Sequence, residues 1–503
     1  MVALGSHVPL FLGGSVFSMN NISAFFEKKY SYPVKVLQFG QGNFLRAFAD
    51  YFIDVANKNN TFCGSVVVAK STGRGNAGKF KAQDYVYTVV ERGNLNGKVV
   101  DKETVVGSIS NIYSCETQWD KLVNVARVDS LSVIISNTTE AGITFDESNT
   151  LGSANIGTYP AKLTALLYER YLAGRNNDLL ILPVELIENN GSVLKQYVLK
   201  YARLWNLEKG FIDYINAKCH FCTTLVDRIV TGFPENADEF YGKFGYEDGF
   251  LVTCEPYYSW IIEGDAKYKY LFPIDEIFSN VKWVDSVKPY RERKVKILNG
   301  THTATVLSAY LCGFNIVRDM VRDCDYKKFI NLLLSEEITK TIDLPLSELE
   351  EFSESVLQRF DNPFIDHKLL DISLNSVSKF RARCLPSLLE YCEKFNHAPK
   401  YLCFSFASLI SFYHGKFFND KFFGERDGEK YQIIDDAEVL KTFYEAYKSD
   451  STIRTILSNV KLWGVDLATN DDVCSLINYY FNLIDDVGMR NALKQVIFDG
   501  QYF

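Results

Sequence analysis

Between residues 34 and 54 the chain runs strand, glycine turn, helix, and that order admits few folds. Val34-Lys-Val-Leu-Gln-Phe39 is an apolar run of strand length, Gly40-Gln-Gly42 comes next, and Asn43 to Asp54 carries its apolar residues at helical spacing. This is the opening unit of a dinucleotide fold. Gly40 permits the tight turn, Gly42 lets backbone N–H groups approach a pyrophosphate, and the helix start adds partial positive charge. Asn43 and Phe44, in the same turn, join the candidate cofactor-binding residues. The third glycine of GxGxxG is missing, with Leu45 in its place and Ala47 the nearest small residue. An incomplete fingerprint gains weight only from the strands and helices downstream of it.

Downstream, strands and helices alternate. Ser65-Val-Val-Val-Ala69 reads as a second strand, Ser130 to Ser136 and Leu179 to Pro183 as two more, and Pro160 to Tyr171 and Ser192 to Trp205 as helices. That is a doubly wound α/β domain, Rossmann-like. Residues 84–90 and 98–106, separated by Arg92-Gly-Asn-Leu-Asn-Gly97, form an inserted hairpin. Polar segments stand where such sheets bind ligands, at the strands' carboxyl ends. Asn137 and Thr138 open one of them, Asn137-Thr-Thr-Glu-Ala-Gly142. In another, Glu185 or Asn190 faces the ligand, or both cap the helix beyond. After the second strand, Lys70, Ser71, Thr72 and Arg74 replace the acidic residue that usually grips the adenosine ribose. Those basic residues either receive a 2′-phosphate or are solvated loop charges. Phe221 to Arg228 and Thr253-Cys-Glu-Pro256 are further candidates, and the adjacent Asp227 and Arg228 either serve the site or form a structural ion pair with neighbours.

At 503 residues the chain exceeds what one core usually fills, so two domains are expected. The division is residues 19–290 for the dinucleotide domain and 291–503 for an all-α domain, after a disordered leader over 1–18. Residues 315–345, 376–395, 400–414, 436–462 and 471–498 read as helices. The chemistry concentrates where the second domain begins. Val295, Leu298, Thr305, Val306 and Ala309 recur at helical spacing, between Pro289 and Gly313. Lys294, Asn299 and His302 fall within one half of that cylinder, an amine, an amide and an imidazole able to hold a carbonyl or alcohol oxygen. At about 100° per residue Asn299 lies roughly 140° from Lys294 and His302 roughly 80°, and helical spacing leaves Lys296 equally eligible as the proton donor. A lysine donor needs its proton affinity lowered by burial or by positive charge such as Arg293. Lys379 is either an anion clamp or a solvated helix-start lysine.

The net charge of −8 argues against nucleic acid or an anionic membrane as partner, and no window is apolar enough to span a bilayer. Eleven cysteines without regular spacing point to free thiols in a reducing, cytoplasmic setting. Cys219-His-Phe-Cys222 is half a zinc motif with no second half, so no metal is expected. A monomer or small homo-oligomer acting on a small molecule fits this composition.

Taken together, Gly40-x-Gly-Asn-Phe-x-Arg46, Asn137-Thr-Thr-Glu-Ala-Gly142, Val226-Asp-Arg-Ile229 and Lys294-x4-Asn299-x2-His302 resemble the polyol-specific long-chain dehydrogenases, the mannitol dehydrogenase family. Pro363-Phe-Ile-Asp-His367 and Ser373-Leu-Asn-Ser-Val-Ser-Lys379 are of the type in its branch acting on keto sugar acids. The resemblance implies NAD-dependent, metal-independent interconversion of D-tagaturonate and D-altronate, with NADP as the alternative cofactor. It also implies Lys294 as general acid/base, with Asn299 and His302 on the reacting oxygen. Only the resemblance selects Lys294 over Lys296. Mannitol-type members have an amide where this chain reads Glu185-Leu-Ile, and an acidic residue in place of Lys70. The rivals are a fructuronate reductase, a mannitol or other polyol dehydrogenase, and a dinucleotide-binding sensor without catalysis.

Overall fold

The computed structural model describes residues 19–26, 31–71, 77–138, 142–152 and 156–498; the expected leader over 1–18, Thr72, Arg74 and residues 139–141 lie outside them. In chain order the first strands are β1 (Val34–Phe39), β2 (Ser65–Lys70), β3 (Tyr87–Leu95), β4 (Lys98–Val106), β5 (Ile109–Ser114), β6 (Val133–Ser136), β7 (Leu179–Pro183) and β8 (Cys219–Phe221). Six of these form one parallel sheet, ordered β5-β2-β1-β6-β7-β8. The chain works outward from β1 in one direction and then, from β6, in the other. The order therefore reverses between β1 and β6, where open sheets of this kind bind ligands.

The sheet explains why its strands are apolar without interruption. Val36, Val66, Val68, Val133, Ile135, Leu180 and Leu182 point into one core. Leu37, Phe39, Val67, Ala69, Ile134, Leu179 and Ile181 point into another. With both faces covered, period-two alternation has no polar side to display. Helices α1 (Asn43–Arg46), α2 (Ala49–Lys58), α3 (Tyr159–Leu172) and α4 (Asn190–Leu204) supply much of that cover.

The hairpin is longer and tighter than expected. Leu95 pairs with Lys98, so the connection is only Asn96-Gly97, both left-handed at φ 51° and 71°. Two such residues match the twist of the flanking strands. Further along are β9 (Thr223–Asp227), β10 (Val230–Gly232), β11 (Val252–Cys254), β12 (Ser259–Glu263) and β13 (Val281–Val284). They build a four-stranded sheet, β10-β11-β3-β4, and a three-stranded one, β13-β12-β9.

From residue 288 the chain is mostly helical. Helix α5 (Lys288–Arg293) leads through a π-helical turn, Lys294–Asn299, into α6 (Gly300–Leu311). Helices α7 (Leu346–Phe360), α8 (Ser376–Arg383) and α9 (Lys400–Phe412) come after it. Helix α9 is apolar around its circumference and central to the helical core, packed on α6 and on α10 (Asp471–Val487). The long helices expected from periodicity are subdivided. The run 376–395 breaks ahead of Pro386, and 471–498 breaks at Gly488, whose φ is 77°. Helix α7 lies outside the expected set. One antiparallel meander, residues 415–433, also interrupts the helices, so the region is not purely α.

Candidate active site

The π turn sets the geometry around Lys294. Gly300 N donates to Val295 O, a bond reaching five residues back, so this turn holds about one residue more than an α turn. Residues five apart in such a turn lie closer in angle than in an α-helix, which turns Asn299 toward the Lys294 face. His302, three residues beyond Asn299 in α6, shares that face. The 140° expected between Lys294 and Asn299 in a regular helix is taken up by the wide turn.

Lys294 Nζ donates to the Val226 carbonyl at 2.8 Å and lies 3.4 Å from Asp227 Oδ1. Asp227 ends β9 and is held from behind by Arg359 of α7, whose Nη1 and Nη2 donate to its two oxygens at 2.9 and 3.2 Å. The same guanidinium donates from Nε and Nη2 to Glu255, both at 2.9 Å. Burial raises the Asp227 carboxyl pKa, but Arg359 and Lys294 outweigh it, and the net direction is downward. Asp227 is therefore a carboxylate beside the lysine. Arg293, expected to raise the positive charge at Lys294, turns away: it donates to Glu348 at 2.7 Å and stacks on Phe352. Lys296 is buried elsewhere, donating to Glu390 at 2.5 Å and Thr341 O at 2.8 Å. The neighbours thus separate the two lysines that spacing could not.

His302 lies flat on Phe360, ring centroids 3.9 Å apart and planes within 7°. Its Nε2 is buried with no hydrogen-bond partner among the described residues. Burial, then His367, Arg359, Arg383 and Lys379, push its pKa down to about 3, so the ring is neutral at physiological pH. Lys379 Nζ donates to Ile372 O at 3.0 Å. Arg383 Nη1, one turn further along α8, donates to Thr303 Oγ1 at 3.3 Å, beside His302.

The glycine turn sits at the sheet's reversal point. Gly40 has φ 112°, and a Cβ there would come within 2.9 Å of the Asn137 carbonyl oxygen. A Cβ on Gly42 would meet nothing within 4 Å. Among the described residues no side chain caps the first N–H groups of α1 at Gly42. That cradle fits a pyrophosphate. Asn43 Oδ1 accepts from Arg46, and Phe44 stacks on Phe48. Lys70 ends β2, its carbonyl accepting from Cys115 N at 2.9 Å. Asn137 Nδ2 donates to Val184 O at 3.1 Å.

Glu185, expected at the substrate, is engaged by its own strand-end neighbours. It is buried, and it accepts from Thr138 N at 2.9 Å, Thr138 Oγ1 at 3.0 Å and Ser136 Oγ at 3.1 Å. It ties two strand ends together. Asn190 likewise spans Pro183 O, Glu185 O and Thr224 O, each at 3.0–3.1 Å, as a structural bridge. His220, between Cys219 and Cys222, stacks on Tyr268 and bonds Asp178 at 3.0 Å.

Two family models cover most of the chain: the mannitol dehydrogenase Rossmann domain over residues 34–272 and the mannitol dehydrogenase C-terminal domain over 286–484. The altronate oxidoreductase of Halalkalibacterium halodurans is 40% identical over 484 residues, 93% of this chain and 94% of that one. The chain belongs to the mannitol dehydrogenase family.

Altronate oxidoreductases of Bacillus subtilis, 40% identical over 93% of this chain and 96% of theirs, and of Yersinia enterocolitica, 38% over 92% and 97%, are similar in extent. Among solved structures, a D-sorbitol dehydrogenase aligns at TM-score 0.75 with 19% identity, covering 92% of this chain and 95% of that one. Pseudomonas fluorescens mannitol 2-dehydrogenase, in complex with NAD and D-mannitol, aligns at 0.63 with 21% identity over 93% and 94%. This mannitol dehydrogenase family member is thus a dehydrogenase/reductase acting on a CH–OH group, with a Rossmann domain for a nicotinamide dinucleotide. Asp227 is among the sequence candidates, within Val226-Asp-Arg-Ile229, with a structural ion pair as the competing reading. The sequence does not single out Arg359 or Arg383, since nothing local marks them out from other helix arginines.

Proposed function

We propose that this protein interconverts D-tagaturonate and D-altronate with NAD, in the cytoplasm. One observation carries the reading: Lys294, Asn299 and His302 share one face across the π turn, with Lys294 seated against Val226 and Asp227. The altronate oxidoreductases similar to it over nearly the whole chain support the choice of substrate.

The dinucleotide, when bound, exchanges a hydride with the carbon that is ketone in tagaturonate and alcohol in altronate. Residues 19–290 hold it, with the glycine turn (Gly40, Gly42, Asn43, Phe44), Lys70 and the Asn137-Thr138 strand end as its contacts. Lys294 gives its proton to the forming alkoxide in reduction and recovers it in oxidation. Asn299 Nδ2 and a neutral His302 protonated at Nε2 donate to the same oxygen, where charge develops. A ring kept neutral by burial can serve this role without competing for the Lys294 proton. Lys379 contributes positive charge for the substrate carboxylate, and Glu185 acts on the site only through Thr138.

Consumption of NADH and NADPH is measured with D-tagaturonate, D-fructuronate and D-fructose, for the wild type and Lys294→Ala. The expected result is NADH oxidation fastest with D-tagaturonate, and a fall in kcat of about 10²–10⁴-fold in the variant with NADH affinity retained. Near wild-type turnover by Lys294→Ala removes the lysine from the mechanism. Faster turnover of D-fructuronate reassigns the substrate.

A further inference from the structure

Helix α8 carries three cations: Arg381 is exposed and donates to the Lys461 carbonyl, while Lys379 and Arg383 are four residues apart and hence on one face. Among the described residues neither forms an ion pair, whereas the cations around them do: Arg359 with Asp227 and Glu255, Arg293 with Glu348, Lys296 with Glu390. Asp435 is the carboxylate that acts on Lys379, and it is engaged by Tyr413 Oη and Val377 N. Arg383 is half-buried, and its side chain donates to the neutral Thr303 hydroxyl.

The end of α8 lies directly against the start of α6. A Cβ on Gly300 would stand 3.2 Å from the Arg383 carbonyl oxygen, and Cys384 Sγ donates to Gly300 O at 3.4 Å. Gly300 thereby lets Arg383 stand one residue beyond His302, and Arg383 and Lys379 both bear electrostatically on that ring. A half-buried guanidinium with a neutral partner retains N–H donors for a planar anion.

We propose that Arg383 is the specificity-determining residue of the site, receiving the substrate's carboxylate through its guanidinium while Thr303 fixes the fork. This rests on the reading of the substrate as a sugar acid and deepens it, since a neutral polyol offers hydroxyl acceptors but no anion of matching two-oxygen geometry. Lys379 adds charge on the same helix face. Arg383 sets the geometry, because a planar fork matches a carboxylate at two points and an ammonium at one.

Arg383→Gln and Arg383→Lys test it, with D-tagaturonate and NADH varied in turn and thermal melts confirming the fold. The expected result for Arg383→Gln is a KM for D-tagaturonate raised about a hundredfold, with the KM for NADH held. Arg383→Lys should recover part of the loss. An unchanged KM for the acid overturns the proposal, as does a parallel loss of NADH affinity, which marks a merely structural role. If the wild type prefers D-fructuronate, the substrate reading fails and the same measurement on that acid decides Arg383 independently. Wild-type turnover confined to neutral ketoses overturns both.

Discussion

Lys294 holds its ammonium in a seat made by residues distant in sequence: the Val226 carbonyl, the Asp227 carboxylate and, behind it, the Arg359 guanidinium. A different buried carboxylate, Asp50, lies under the glycine turn. Its Oδ2 accepts from Gln38 Nε2 at 3.2 Å, while Asp50 Oδ1 and Gln38 Oε1 are buried without partners among the described residues. Burial pushes the Asp50 pKa up to about 7, so the folded protein binds a proton that the unfolded chain releases near the ordinary 3.8. Stability from this group is present below about pH 4 and declines as pH rises toward about 7. Asp50→Asn supplies a neutral donor and removes the decline. Urea denaturation should show the variant gaining on the wild type between pH 5 and 8, by on the order of a few kcal/mol. An identical pH dependence in both proteins would contradict the protonated state.

At the scale of elements, the strand, glycine turn and helix make a paired prediction possible. Gly40 needs its positive φ and has the Asn137 carbonyl against it, so Gly40→Ala should lower stability by about 1–3 kcal/mol and disturb the β1–β6 junction. Gly42 has an ordinary φ of −67° and open space beside it. Gly42→Ala should leave the melting temperature of the cofactor-free protein within a degree or two. It should weaken NADH binding, read by fluorescence titration, because the methyl group enters the cradle. Unaltered NADH affinity in Gly42→Ala would place the pyrophosphate elsewhere. The turn and its neighbouring strands were legible because their signals are local: apolar runs of strand length, glycines, and helical periodicity. The π turn was not. A regular helix and one with a wide turn share the same residue pattern, and only packing against β9, α7 and α8 selects between them.

Across the whole molecule, Arg359 joins the sheet region to the helical region, since α7 reaches Asp227 of β9 and Glu255 beyond β11. Removing one partner of such a buried cluster leaves charge uncompensated. Arg359→Met should destabilise by about 3–5 kcal/mol in urea unfolding. It should also lower kcat, because Asp227 is then free to move from Lys294. Full stability with full activity in that variant would show that the two regions are held by other contacts.

The sequence by itself determined the parallel α/β order, the glycine turn and the helical second half, and offered Lys294 or Lys296 with Asn299 and His302 as site candidates, because each is written in neighbouring residues. Tertiary structure alone decided which lysine meets Asp227 and which Glu390, that Glu185 bridges two strand ends, that Arg359 pairs with Asp227, and that Arg383 reaches Thr303 beside His302. Those partners are far apart in the chain. Charge pairing across such separations depends on which helix packs on which strand, and no local periodicity encodes that choice.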